Sequence, residues 1–218
     1  LRNALAVKLD RDNGLKFNPE NQIVVSAGST GAFYCAAIAL LSPGDEVILF
    51  EPYYGYHLST LQAVEAKAVY ATLRPPNWNF NPAELENLIT PRTRAIMVCT
   101  PANPCGKVWT RAELEWLAGF AEKHDLVVFT DEIYEYITYD GHKHISPASI
   151  PGLTERTVTI GGYSKTYAIT GWRIGYAACR ADWAARIGQL NDLYYVCAPS
   201  PLQEAVAAGI EVLKPDFY

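Results

Sequence analysis

The 218 residues are half hydrophobic, 19% charged and 12% aromatic, the profile of a globular chain able to bury a large core, so one large domain spanning residues 1–218 is expected. The formal net charge of -5 is spread without a basic cluster, which excludes the electrostatic footprint of a nucleic-acid surface. The longest apolar run, Ala32 to Leu41, is too short for a bilayer and stops at Ser42-Pro43-Gly44, so it reads as a buried helix meeting a turn and no membrane partner is expected.

The chain opens on Leu1-Arg2-Asn3-Ala4-Leu5-Ala6, which resembles the middle of an amphipathic helix and lacks the regions of a signal peptide. Its end, Val212-Leu213-Lys214-Pro215, reads as the end of another helix, so a longer parent protein is expected. Between them, short β-branched runs recur at Ile23-Val24-Val25, Val47-Ile48-Leu49-Phe50, Ala95-Ile96-Met97-Val98-Cys99, Leu126-Val127-Val128-Phe129 and Thr157-Val158-Thr159-Ile160. Such runs predict buried strands of a mainly parallel sheet. Helix-period segments alternate with them. The clearest starts at Thr110, where Thr110 and Glu113 form a capping-box pattern and Leu114, Leu117, Ala118 and Ala121 share one face. The class is α/β, three layers around a mainly parallel mixed sheet. Right-handed crossovers then bring the strands' carboxyl ends to one edge, where such sheets bind ligands.

Polar residues follow each run. After the first comes Ser26-Ala27-Gly28-Ser29-Thr30-Gly31, which suits a phosphate at a helix N-terminus, although a Ser/Thr cap after a tight turn is the commoner use of so short a motif. After the second, Glu51-Pro52-Tyr53-Tyr54-Gly55-Tyr56 places rings that either stack on a flat ligand or cover the core. After the third, Thr100-Pro101-Ala102-Asn103-Pro104-Cys105-Gly106 is a turn or a rigid mount for the Asn103 amide. After the fourth, Asp131 either caps a helix or needs a cation or donor to offset its burial. After the fifth, Gly161-Gly162-Tyr163-Ser164-Lys165 puts a lysine where lysines are unusual. There is no dinucleotide, P-loop or hydrolase-elbow pattern. His142 and His144 flank Lys143 in a polar turn without further ligands and read as a solvated loop, so no metal is expected. Five cysteines, an odd number without a C-x-x-C pair, read as reduced thiols and point to a cytoplasmic protein.

The run Gly162-Tyr163-Ser164-Lys165-Thr166-Tyr167-Ala168-Ile169-Thr170-Gly171-Trp172-Arg173-Ile174-Gly175-Tyr176 closely resembles the cofactor-lysine segment of class I/II aminotransferases, the fold type I pyridoxal 5′-phosphate (PLP) enzymes. It is accompanied, in the family's order, by Ser29-Thr30, Glu51-Pro52-Tyr53-Tyr54, Ala102-Asn103-Pro104-Cys105-Gly106 and Asp131-Glu132-Ile133-Tyr134. The resemblance covers essentially the whole chain and implies the large, cofactor-binding domain. By that resemblance Lys165 forms the imine with the PLP aldehyde, Asp131 pairs with the pyridine nitrogen, and Asn103 and Tyr134 bond the phenolic oxygen. Tyr54 stacks on the ring, while Ser29, Thr30, Ser164 and Arg173 hold the phosphate. Thr100 and Cys105 stand where the family often has Asn and Thr, and Gly162 where some members have Ser.

The resemblance further implies amino acid and 2-oxo acid substrates, a homodimer, and a smaller C-terminal domain whose arginine binds the substrate carboxylate. Amino-group transfer is the expected reaction. A β-lyase or an aminocyclopropane-carboxylate synthase would share every residue named. So would the PLP-binding sensing domain of a transcription regulator, although the complete lysine and ring-contact set favours an enzyme.

Overall fold

Each apolar run becomes a strand, and the segments between them become helices. The computed structural model describes residues 1–213 and contains, in order, α1 (Arg2–Asn13), β1 (Ile23–Ala27), α2 (Gly28–Leu40), β2 (Glu46–Glu51), α3 (Gly55–Ala63), β3 (Lys67–Thr72), α4 (Pro82–Asn87), β4 (Thr93–Cys99), α5 (Arg111–Lys123), β5 (Val127–Asp131), β6 (Thr157–Gly162), β7 (Ile174–Ala178), α6 (Ala181–Tyr195) and α7 (Ser200–Val212). The helix expected to close the chain is α7; Lys214 and Pro215 lie outside the described residues. Among those described, no helix is long and apolar enough to cross a membrane.

The strands form one sheet in the order β1-β7-β6-β5-β4-β2-β3. Pairs β2–β3, β2–β4, β4–β5 and β5–β6 are parallel, while β7 is antiparallel to both β6 and β1. Six strands therefore share one direction and β7 opposes them, the mainly parallel mixed sheet expected. Two strands were not among the apolar runs. β3 is an edge strand with only Ala71 fully buried, and β7 is rich in small residues that carry little β-strand signal.

Alternation along the strands divides the core between the two faces of the sheet. On one face Val47, Leu49, Ala95, Met97 and Phe129 pack under α2, α3 and α6. On the other, Ile48, Phe50, Ile96, Val98 and Val128 meet Leu114, Leu117 and Ala121 of α5, and Ile23, Ile174 and Ala178 meet α1 and α7. Such two-sided burial is why the central strands read as continuous apolar runs. The N-terminus of α5 carries the capping box as read: Thr110 Oγ1 accepts from the Glu113 backbone N–H at 3.3 Å, and the Thr110 backbone N–H donates to Glu113 Oε2 at 2.9 Å.

Because β7 runs backwards, its first residue lies at the same edge as the last residues of β1, β2, β4, β5 and β6. Gly162 opposes Gly175, Cys99 opposes Asp131, and Ala27 opposes Ile174 in register. Six separate chain segments thus deliver their polar residues to one place.

Candidate cofactor and active site

At that edge lies a cavity of about 460 Å³, within the size range of small-molecule sites. All nine residues singled out from the sequence line it: Ser29 and Thr30, Tyr54, Asn103, Asp131 and Tyr134, and Ser164, Lys165 and Arg173. Tyr56, Ile133, Thr170 and Gly171 complete the lining.

The β1–α2 junction forms an anion cradle. Helix α2 begins at Gly28, its N-cap is Ala27, and no side chain caps it. The Ser/Thr cap that the short motif allowed is therefore not made, and Ser29 and Thr30 stand in the first turn and line the cavity. The turn has no acidic residue, so uncapped N–H groups and the helix dipole face the opening. Arg173 closes the cradle from the opposite strand. Its carbonyl accepts from the Gly28 N–H at 3.0 Å, its own backbone is left-handed (φ 55°), and its guanidinium donates to the Thr170 carbonyl at 3.0 Å.

Two glycines make this approach possible. A Cβ on Gly28, itself at φ +74°, would lie 2.3 Å from Arg173 Nη2, and one on Gly175 would lie 2.3 Å from the Gly28 carbonyl carbon and 2.4 Å from the Ser29 nitrogen. A Gly175→Ala variant is expected to push the α2 N-terminus from the strand and lose about 1–3 kcal/mol of stability, as overpacking does. Urea unfolding measures this, and a fall of phosphate affinity in the same variant ties the clash to the cradle.

Asp131 ends β5, 8% exposed; no helix begins there for it to cap, and its burial is offset by donors, the other of the two readings the sequence left open. Oδ1 accepts from the Ile133 backbone N–H at 3.3 Å, and Oδ2 is 2.9 Å from His57 Nε2. An ionised carboxylate only accepts, so Nε2 carries the proton and donates. The imidazole is buried and held edge-on by Phe33 and Tyr54, with centroids at 5.6 and 5.4 Å. His57 was missed in the sequence. Its only signal there is its place on the first turn of α3, three residues after Tyr54, and nothing local links it to a carboxylate 74 residues on.

Beyond Asp131, the Asn103 Nδ2 approaches the Tyr134 hydroxyl at 3.5 Å, a long contact. Burial, with Asp131 and Cys99 nearby, raises the Tyr134 pKa despite the Asn103 bond, so its hydroxyl stays a proton donor across the physiological range. Burial and the neighbouring Tyr56 and Asp131 raise that of Tyr54 likewise. Lys165 is exposed, its Nζ 6.0 Å from the Tyr134 ring centroid.

The expected solvated loop at His142–His144 is corrected. His144 turns inward to 6% side-chain exposure and its Nε2–H donates to Glu132 at 2.8 Å, beside Ser146 Oγ at 3.0 Å and Thr130 Oγ1 at 2.7 Å. Three donors offset the burial of one carboxylate, and a polar-looking turn hides that pairing. Among the described residues no group of His, Cys, Asp and Glu is arranged to hold a metal, and the five cysteines are free thiols, Cys35 and Cys179 buried and Cys197 exposed.

Known proteins share both sequence and shape. Kynurenine–oxoglutarate transaminase 1 of Homo sapiens is 36% identical over 209 residues, covering 91% of this chain and 50% of that protein. Aromatic-amino-acid aminotransferase 2 of Thermococcus litoralis is 35% identical over 95% of this chain and 54% of its own length. The crystal structure of the aromatic aminotransferase from Pyrococcus horikoshii superposes with a TM-score of 0.95 at 34% identity, covering 99% of this chain and 58% of that one. The chain thus spans about half the length of the curated relatives it matches. With the profile "Aminotransferase class I and II" matching residues 1–212, the chain belongs to the class I and II aminotransferase family.

Proposed function

We propose that this chain is the cofactor-binding large domain of a PLP-dependent aminotransferase, which moves an amino group from an amino acid to a 2-oxo acid. The observation that carries the reading is the convergence, in one cavity, of an exposed lysine, a buried carboxylate at the sheet edge, a Tyr–Asn pair and an uncapped helix N-terminus with an arginine.

The residues fit the group. A phosphate matches the α2 cradle, where Ser29, Thr30 and Ser164 offer hydroxyls and Arg173 a permanent, forked charge. A pyridine nitrogen, once protonated, matches the Asp131 carboxylate, and a phenolic oxygen matches the donors of Tyr134 and Asn103. Tyr54 would cover one face of the ring. Bound there, PLP supplies an electron sink that stabilises negative charge at a substrate Cα.

The chain's own residues do the rest. His57 holds Asp131 in one orientation, and Asp131 in turn keeps the proton on the ring nitrogen. Tyr134, kept protonated by burial, donates to the phenolic oxygen. Lys165 would hold the cofactor covalently and, once released, take the proton from the substrate Cα and return it to the other end of the reacting system. The free thiols suit a cytoplasmic protein, and we propose a homodimer as the working form of the full-length protein.

The test uses the full-length protein, a panel of isotopically labelled amino acids and a 2-oxo acid acceptor. Label appearing in the acceptor's new amino group is the expected result. Ammonia and a 2-oxo acid formed without an acceptor would assign elimination instead, and cofactor binding with no turnover of any amino acid would assign a sensing domain.

A further inference from the structure

Tyr134 stands between two carboxylates, one buried and one partly buried, each tied to a different part of the molecule. On one side, Glu132 is 2% exposed and takes the three donors from Thr130, His144 and Ser146. On the other, Glu135 Oε2 accepts from Lys8 Nζ of α1 at 2.5 Å and from Asn13 Nδ2 at 3.1 Å. Lys8 also donates to Asn13 Oδ1 at 2.9 Å, and its Nζ lies 5.2 Å from the Tyr136 ring centroid. Next along the chain, the Tyr136 hydroxyl donates to Asp12 of the same helix. The backbone is closed tightly here, Glu135 N–H to the Glu132 carbonyl at 3.0 Å and Ile137 N–H to the Tyr134 carbonyl at 2.8 Å, so a shift of Glu135 is a shift of Tyr134.

Lys8 is 1% exposed, and burying an ammonium with a carboxylate is a poor way to attach a helix. Two apolar side chains of similar volume commonly do so at least as well. Helix α1 already has Ala4, Leu5 and Leu9 in the core for that purpose. What an ion pair adds is direction, since its hydrogen bonds fix one geometry where apolar contacts allow sliding.

We propose that Lys8 is a positioning residue for the cofactor site, acting through Glu135 to hold the Tyr134 hydroxyl where it meets the ring's phenolic oxygen. The inference rests on the PLP reading for its destination, but the contacts that join Lys8 to the Tyr134 segment involve this chain's residues alone, so the link is measurable in the cofactor-free protein.

The experiment replaces both partners, Lys8→Met with Glu135→Leu, in the full-length protein, so that no buried charge is orphaned. Hydrogen exchange on the cofactor-free protein is expected to speed up about tenfold at amides 133–137, a local loosening that leaves β5 protected. With PLP added, losing the Tyr134 donor raises the pH midpoint of the bound cofactor's visible absorbance by about half a unit, because a weaker bond to the phenolate favours its protonated neighbour. Tyr134→Phe alone is expected to shift the midpoint in the same direction and, added to the pair, to shift it no further. Wild-type exchange and a wild-type midpoint in the paired variant, while Tyr134→Phe still shifts, would overturn the proposal. If the paired variant does not fold, Asn13→Ala removes one donor to Glu135 without changing charge. It is expected to loosen the same amides to a smaller degree, and unchanged exchange there overturns the proposal equally. A wild-type protein that never binds PLP would sink the functional reading, while the exchange comparison still decides the link.

Discussion

A Lys165→Ala variant of the full-length protein is expected to lose at least about a thousandfold in amino-group transfer, within the range for removal of a positioned acid–base group, while folding as the wild type does. The two halves of that expectation have separate causes. Lys165 is exposed, and its Nζ lies 6.0 Å from the Tyr134 ring centroid, so its side chain contributes little to stability. Surface substitutions of that kind change stability by about half a kcal/mol or less. Catalysis, by contrast, would on the proposed function lose both the covalent hold on the cofactor and the base over the substrate Cα. Borohydride treatment followed by peptide mass spectrometry should place cofactor mass on Lys165 in the wild type and nowhere in the variant. Partial recovery of rate by added small primary amines would show that the missing amine, rather than a distorted site, is the defect. A variant retaining wild-type turnover would remove Lys165 from the mechanism and the PLP reading with it.

How much of this was legible from residues alone follows from where each signal lies. Asp131 was found because it ends an apolar strand, and Asn103 and Lys165 because they lie in the polar segments that follow two other buried strands; a parallel sheet buried on both faces makes such strands conspicuous. The location of the site followed from topology, since strand ends on one edge must share a neighbourhood. The roles of the residues came from the resemblance in the Gly162–Tyr176 run. Strand β3 was hidden because an edge strand with exposed Lys67 and half-exposed Tyr70 lacks an apolar run. Strand β7 was hidden because Gly175, Ala177 and Ala178 fill tight space rather than advertise it; the clash awaiting a Cβ on Gly175 explains the small side chain. Pairings across long sequence distances left no local trace at all. His57 finds Asp131, and Lys8 finds Glu135 across 127 positions, only because the sheet order puts them together. His144 misled for the opposite reason: its neighbours Gly141, His142 and Lys143 are exposed, so the turn looks solvated although one ring leaves it for the interior.

The second large effect is expected at Asp131, and it separates electrostatics from shape. Asp131→Asn keeps the side-chain volume and one oxygen, which can still accept from the Ile133 N–H, while its amide N–H can donate to His57 Nε2 once the neutral ring takes its other tautomer, so the fold should persist and the cavity should keep its form. What would be lost, on the proposed function, is the negative charge that stabilises a protonated ring nitrogen, and removal of one preorganised electrostatic partner costs about a hundred- to a thousandfold in kcat. PLP affinity should fall far less, because the phosphate cradle of α2 and Arg173 lies in other elements and is untouched. His57→Phe supplies the control. It leaves the charge on Asp131 but removes the donor that orients it, and a smaller loss, of about tenfold, is expected from an outer partner of this kind. An order in which the histidine variant is the more damaged would mean that the imidazole itself takes part in proton transfer. Equal and near-wild-type rates in both would mean that this family member does not need a protonated ring, which would favour chemistry that places less charge on the substrate Cα than amino-group transfer does.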